Sequence, residues 1–133
     1  MKNETYSYDD LDKGWTIVHL KRDVLLEAVR DVWLLDHIKC EFEEELNVAP
    51  DKVTQYTVRF ILELIKSKFV RVARWDKEDQ EIELDLSPAE LEDLIENLDH
   101  PSFSLQTFLT ATEKGCAWVS RYEDLIKELK LRQ

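Results

Sequence analysis

Apolar residues recur along much of the chain at steps of three and four, which is the spacing of one helix face. The longest such stripe runs from Leu25 to Leu46, and no Gly or Pro interrupts residues 21–49. This pattern predicts one long helix, or two abutting helices, over that range.

A second stripe follows a break in the chain. Pro50 interrupts the first pattern, and Asp51 is a good N-cap residue, so a new helix is predicted over residues 52–66. Its apolar face consists of Val53, Tyr56, Phe60, Ile61, Leu64 and Ile65.

Two further helices are predicted from their start signals. Ser87, Pro88 and Glu90 have the spacing of a capping box with proline in the first turn, so a helix is expected to about Asn97. Thr112 is expected to cap a last helix. The apolar stripe of that helix would be formed by Trp118, Tyr122, Leu125, Ile126 and Leu129.

Strands are predicted where β-branched and aromatic residues cluster or where polarity alternates. Clusters occur at residues 15–20, 69–75 and 103–110. A strict alternation places Ile82, Leu84 and Leu86 between Glu81, Glu83 and Asp85. A period of two predicts a half-buried strand whose outer face is acidic.

These elements predict a helix-rich α+β fold with about four helices and a small two- or three-stranded antiparallel sheet. The chain contains only two glycines and three prolines, which disfavours a turn-rich β-sandwich. Its 133 residues fit one domain spanning residues 1–133. Residues 1–14 are polar and acidic, and we expect them to be loosely ordered.

Charge is concentrated in one part of the sequence. The net charge is −11, and residues 76–99 hold eleven acidic residues and one lysine. We interpret this segment as a docking surface for a basic partner; a passive solvated surface is the alternative. Nucleic acid is disfavoured as a partner, because phosphate would be repelled. The bases expected to pair with acids inside the protein are Arg59, Lys66, Lys68, Arg71 and Arg74.

The predicted contact surface combines the acidic residues with one aromatic anchor. Trp75 stands beside the acidic segment, and an exposed tryptophan at a charged rim suits a binding hot spot. The predicted partner-binding residues are Trp75, Asp76, Glu78, Asp79, Glu81, Glu83, Asp85, Glu90 and Asp93.

No catalytic signature accompanies this surface. The sequence contains no phosphate-binding glycine loop, nucleophile elbow or EF-hand spacing, so we expect neither an enzyme nor a cofactor. His37 and Cys40 lie one helical turn apart, but that spacing matches no common zinc pattern, and no metal is expected. Cys40 and Cys116 are too few for a disulfide framework, which favours a cytoplasmic location. No export signal or membrane span is expected.

The segment order carries a local resemblance to winged-helix proteins. The helix at 52–66, the strand at 69–75 and the run 109–115 (LTATEKG) before a helix resemble that family over about half of the chain. The resemblance implies a regulatory or adaptor protein. The chain departs from the pattern where the wing would lie, since residues 87–98 form a capped acidic helix there.

In size, acidity and lack of catalytic motifs, the chain is similar to bacterial toxin-immunity proteins. That resemblance implies a protein that binds and blocks a cognate toxin, often a basic nuclease used in contact-dependent inhibition. The leading hypothesis is therefore an inhibitor whose acidic surface occludes the active or substrate-binding site of a basic nuclease. A winged-helix-like regulatory or adaptor protein is the alternative.

Overall fold

The computed structural model describes residues 7–30, 33–76, 78, 80–97, 107–119 and 121. The α-helices of these residues are α1 (Tyr8–Lys13), α2 (Thr16–Arg30), α3 (Leu35–Cys40), α4 (Val53–Lys66), α5 (Pro88–Glu96) and α6 (Glu113–Val119). A π-helical turn (Glu41–Glu45) extends α3, and a 3-10 turn (Pro50–Lys52) precedes α4. The strands are β1 (Trp33–Leu34), β2 (Val70–Trp75), β3 (Glu81–Leu84) and β4 (Thr107–Ala111).

The strands form one antiparallel sheet in the order β1-β4-β2-β3. β2 lies between β4 and β3, and the two-residue β1 pairs with the other side of β4. The helix-rich α+β class and the small antiparallel sheet are thus confirmed. The expected number of about four helices is wrong, because the described residues contain six.

The strand predicted at residues 15–20 is instead the start of a helix. α2 begins at Thr16, and Ile17, Val18 and Val24 are buried along it. The buried positions continue the helical spacing through Lys21, which is also buried. A charged residue within the stripe concealed its period, and local β-branched composition then favoured the wrong element.

Of the two possibilities predicted for residues 21–49, one long helix is wrong, and the two helices that are present do not abut because β1 separates them. α2 ends at Arg30, β1 and α3 follow, and the π-helical turn closes the segment. Sheet pairing overrides helical spacing here, because Trp33 and Leu34 pair with Leu109 and Phe108 of β4.

Two further predictions need correction, one for the first residues of the chain and one for the start of α4. Residues 8–13 are not loosely packed, because they form α1 with Tyr8 and Leu11 buried. Asp51 does not cap α4, because it lies in the 3-10 turn and Lys52 occupies the cap position. The predictions made for residues 1–6, 98–106 and 122–129 lie outside the described residues.

The main core lies between the helices and one face of the sheet. Residues opposite each other in an antiparallel pair share a face, and alternate residues along a strand change face. Val70, Val72 and Leu109 therefore lie on the face packed by α2 and α4, and all three belong to the buried core. We call this the helix-covered face. The register places Arg71, Ala73, Trp75, Phe108, Glu81 and Glu83 on the opposite face.

α6 is anchored to the segment between α4 and β2 by the first residue of the TEKG run. The Thr112 backbone N–H donates to the Phe69 carbonyl at 3.0 Å, and its hydroxyl donates to the Lys68 carbonyl at 2.6 Å. The same hydroxyl accepts the Gly115 N–H at 3.1 Å, as expected for a helix cap. These residues thus dock a helix onto the core.

Candidate functional site

The acidic residues of the predicted contact surface lie on two layers of the fold. Glu81 and Glu83 belong to β3 and lie on the sheet face opposite the helix-covered face. α5 packs against α4 and α3, on the helical side of the sheet, with Leu91 and Ile95 buried. The acidic segment is therefore divided into a strand group and a helix group, joined by the exposed Asp85.

The strand group is partly neutralised by one arginine. Arg71 of β2 forms an ion pair with Glu81 and lies 3.6 Å from a Glu83 carboxylate oxygen. All three side chains remain at least a third exposed. The predicted internal pairing of bases is confirmed for Arg71, and also for Arg59, which pairs with Asp9.

Two of the predicted contact residues stabilise local structure. Asp76 Oδ1 accepts the backbone N–H groups of Glu78 and Gln80, at 2.8 and 2.9 Å, which holds the turn between β2 and β3. Glu90 and Ser87 form the predicted capping box. The hydrogen bond from the Ser87 N–H lowers the pKa of the Glu90 carboxyl below its usual range.

The remaining predicted carboxylates are exposed where they are described. Glu78, Asp85 and Asp93 are exposed, whereas Asp79 lies outside the described residues. The surface also includes Glu92 and Glu96, which were not among the predicted contact residues but are exposed on α5. The helical pattern indicates their exposure, because Glu92 and Glu96 lie outside the apolar stripe that contains Leu91 and Ile95.

Trp75 is only partly accessible. It is half-buried, and its ring centroid lies 4.3 Å from that of Phe108 on the same sheet face. On the helix-covered face, the expectation of a half-buried β3 is wrong for Ile82, which is 37% exposed. Leu84 of the same strand and Leu86 after it pack partly against the core.

A partly buried ionic cluster was missed from the sequence. Lys21 Nζ lies 2.8 Å from Glu63 Oε1, and the Tyr8 hydroxyl donates to the same oxygen at 2.6 Å. Arg59 Nε lies 3.4 Å from the other Glu63 oxygen, and the guanidinium stacks over the Tyr8 ring. The cluster joins α1, α2 and α4, and no local pattern reveals a contact between such distant residues.

The cluster fixes the charge states of Glu63 and Tyr8. Burial alone would raise the pKa of Glu63, but hydrogen bonds from Lys21 and Tyr8 hold that pKa below its usual range. Burial, followed by the charge of Glu63, raises the pKa of Tyr8, so the phenol stays protonated. A cavity of about 170 Å³ beside the cluster is lined by Lys21, Glu63, Lys66 and Ser67. The arrangement has the chemistry of a stabilising ion pair between helices.

The environment of Cys40 does not activate its thiol. Burial, followed by the charges of Asp36 and Glu44, raises the pKa of the Cys40 thiol, which disfavours the reactive thiolate. His37 and Cys40 do line a cavity of about 250 Å³. In the described part of the chain, however, no cluster of three or more His, Cys, Asp or Glu side chains could hold a metal ion. Cys116 is an exposed free thiol.

Within the described ranges, no helix has both the length and the apolar character needed to cross a bilayer. Comparison of the chain with known protein families, curated proteins and solved structures gave no match.

Proposed function

We propose that the chain is a protein-binding inhibitor that uses its acidic surface to neutralise a basic partner, most concretely as an immunity protein for a nuclease toxin. The observation that carries the proposal is the exposure of the β3 and α5 carboxylates in a chain whose remaining charge is nearly balanced. We place this activity in the cytoplasm, in keeping with two free cysteines.

The proposed mechanism is electrostatic occlusion. The substrate cleft of a nuclease carries basic side chains that bind phosphate. A row of fixed carboxylates can form ion pairs with the same side chains. Oppositely charged surfaces also steer the two proteins together, so association is faster at low salt. Exposed, mutually repelling carboxylates are suited to this role, because a basic partner relieves their repulsion.

Asp85 and two residues of the helix group supply a test that leaves the fold intact. Asp85, Glu92 and Glu96 are exposed, and their reversal to Lys leaves the Arg71 pairs and the Ser87 capping box in place. A matched control reverses Glu43, Glu44 and Glu45 of the π-helical turn, which are also exposed. Both triple variants change the net charge equally.

The first measurement identifies the genes beside this chain's gene, among which the proposal expects one that encodes a basic nuclease domain. That domain is then used in a cleavage assay. Wild-type protein should inhibit RNA or DNA cleavage, and the Asp85, Glu92 and Glu96 reversal should slow association about tenfold or more at low salt. The control reversal should change the association rate far less. Equal rates for the two variants, or no inhibition by the wild-type protein, would refute the proposal.

The regulatory alternative is supported by one arrangement, the α4 helix followed directly by the β2–β3 hairpin. A gel-shift titration with duplex DNA at low ionic strength tests it. Sequence-selective binding would favour a winged-helix-like regulator, and the absence of DNA binding would favour the inhibitor.

A further inference from the structure

In the part of the chain that the structure describes, the outer edge of β3 has no neighbouring strand. Among the described residues, β3 pairs only with β2, so its second row of backbone groups has no strand beside it. The hairpin register shows which groups these are. The Asp76 N–H donates to the Gln80 carbonyl at 2.9 Å. Because hydrogen-bonded residues alternate along an antiparallel ladder, Ile82 and Leu84 bond towards β2. Glu81 and Glu83 therefore direct their backbone N–H and C=O groups outwards.

The side chains along this edge differ between its two faces. The Glu81 and Glu83 side chains lie on one face and are 38% and 67% exposed. Ile82 lies on the other face with its side chain partly exposed, and its register partner Arg74 is exposed too. An approaching strand would thus meet carboxylates on one side and an aliphatic side chain on the other.

A second copy of the chain does not fit this edge. Pairing two β3 strands would place the carboxylates of one copy beside those of the other, and like charges on neighbouring strands are destabilising. Charged residues on edge strands are a known protection against such self-association. The edge therefore selects a strand with basic residues on the carboxylate side.

We propose that β3 binds an extended segment of a basic protein as an additional strand of the sheet. Its basic residues would alternate with apolar ones, so that Lys or Arg meets Glu81 and Glu83 while an aliphatic residue covers Ile82. This mode rests on the proposed inhibitor function and specifies the form of the partner segment. Backbone hydrogen bonds would supply affinity, and the alternation of side chains would supply specificity.

A synthetic peptide of alternating Lys and Val tests the proposal directly, with binding to the full chain followed by fluorescence anisotropy. A peptide of the same composition, with the Lys and Val residues in separate blocks, is the charge-matched control. The alternating peptide should bind about tenfold or more tightly than the control, because only its side chains match both faces. Equal affinities, or no binding, would overturn strand addition.

N-methylation separates backbone pairing from simple charge attraction. In antiparallel addition, the Lys N–H groups point towards β3, so methylating them should weaken binding about tenfold or more, while methylating the Val N–H groups should be tolerated. Sensitivity at Val alone would instead indicate parallel addition. Insensitivity at both sets would overturn the proposal, even if binding still depended on salt.

A pair of variants at one edge position provides the complementary test. Glu83→Pro removes an outward N–H without removing a hydrogen bond to β2, a position where edge strands tolerate proline. Glu83→Gln removes the same charge and keeps the N–H. The proline variant should bind the alternating peptide several-fold more weakly than the glutamine variant, with both shown to be folded by circular dichroism.

Equal binding by folded variants would contradict strand addition. The inhibitor function would survive that result, because its own test concerns Asp85 and α5.

Discussion

Lys21 of α2 and Glu63 of α4 form an ion pair of 2.8 Å, with the lysine side chain only 4% exposed. The pair fastens two helices that cover the same face of the sheet. Burying the ammonium group is costly, and Glu63 offsets this cost while also accepting a hydrogen bond from Tyr8. The stability of the helical layer should therefore depend strongly on Glu63.

Removing the carboxylate alone should be strongly destabilising. Glu63→Gln leaves Lys21 buried without its counter-charge, so we expect the free energy of unfolding to fall by about 2–4 kcal/mol. Urea unfolding monitored by circular dichroism measures the change. The double variant Lys21→Met with Glu63→Gln should lose less than Glu63→Gln alone, because no unpaired buried charge remains. A double variant that loses the sum of both single changes would contradict this account.

The same carboxyl should make stability depend on pH. Its folded pKa is lowered, so the folded state gives up this proton more readily than the unfolded state. The contribution of Glu63 to folding stability is therefore fully present above its pKa in the unfolded chain, about 4.3. It is lost as the pH falls below that value towards the folded pKa. The melting temperature of wild-type protein should thus fall more steeply in this acidic range than that of Glu63→Gln. Parallel curves for the two proteins would show that Glu63 is not the group responsible.

The two glycines should respond oppositely to alanine. A Cβ on Gly115 would lie 2.3 Å from the Phe69 carbonyl oxygen and 3.2 Å from Leu25 Cδ1, so α6 would have to shift. Gly115→Ala should cost about 1–3 kcal/mol, although helix propensity alone favours alanine. At Gly14 the nearest atom is 3.5 Å away and φ is −80°, so Gly14→Ala should be neutral or slightly stabilising. Thermal unfolding of both variants measures the two effects. A loss of stability in Gly115→Ala alone indicates close packing, whereas equal losses would indicate a general effect of replacing glycine.

Elements whose signals are local were predictable. The amphipathic stripe of α4, the strand β2 and the Ser87–Glu90 capping box all depend on residues within one or two turns of each other. Such patterns specify the hydrogen bonds and the buried face of a single element. The alternation that predicted β3 was similarly local, but it could not show that Ile82 would lie exposed at a sheet edge.

Elements that depend on distant partners were not predictable. The start of α2 was predicted as a strand because the charged Lys21 interrupts the apolar helical pattern. Lys21 can be buried because it pairs with Glu63, which is far away in sequence. The helical pattern after residue 21, predicted as one helix or two abutting helices, is interrupted by a strand because Trp33 and Leu34 pair with β4. In both cases a tertiary contact overrides a local preference.

For the candidate site, the sequence alone determined that the negative charge lies between residues 76 and 99, since charge is a property of composition. Only the tertiary structure decided how that charge is presented. Sheet register placed Glu81 and Glu83 beside Arg71, and packing of α5 on α4 placed the helix carboxylates on another layer. Strand order then left β3 at the edge, because which strands become neighbours is decided by contacts between distant parts of the chain.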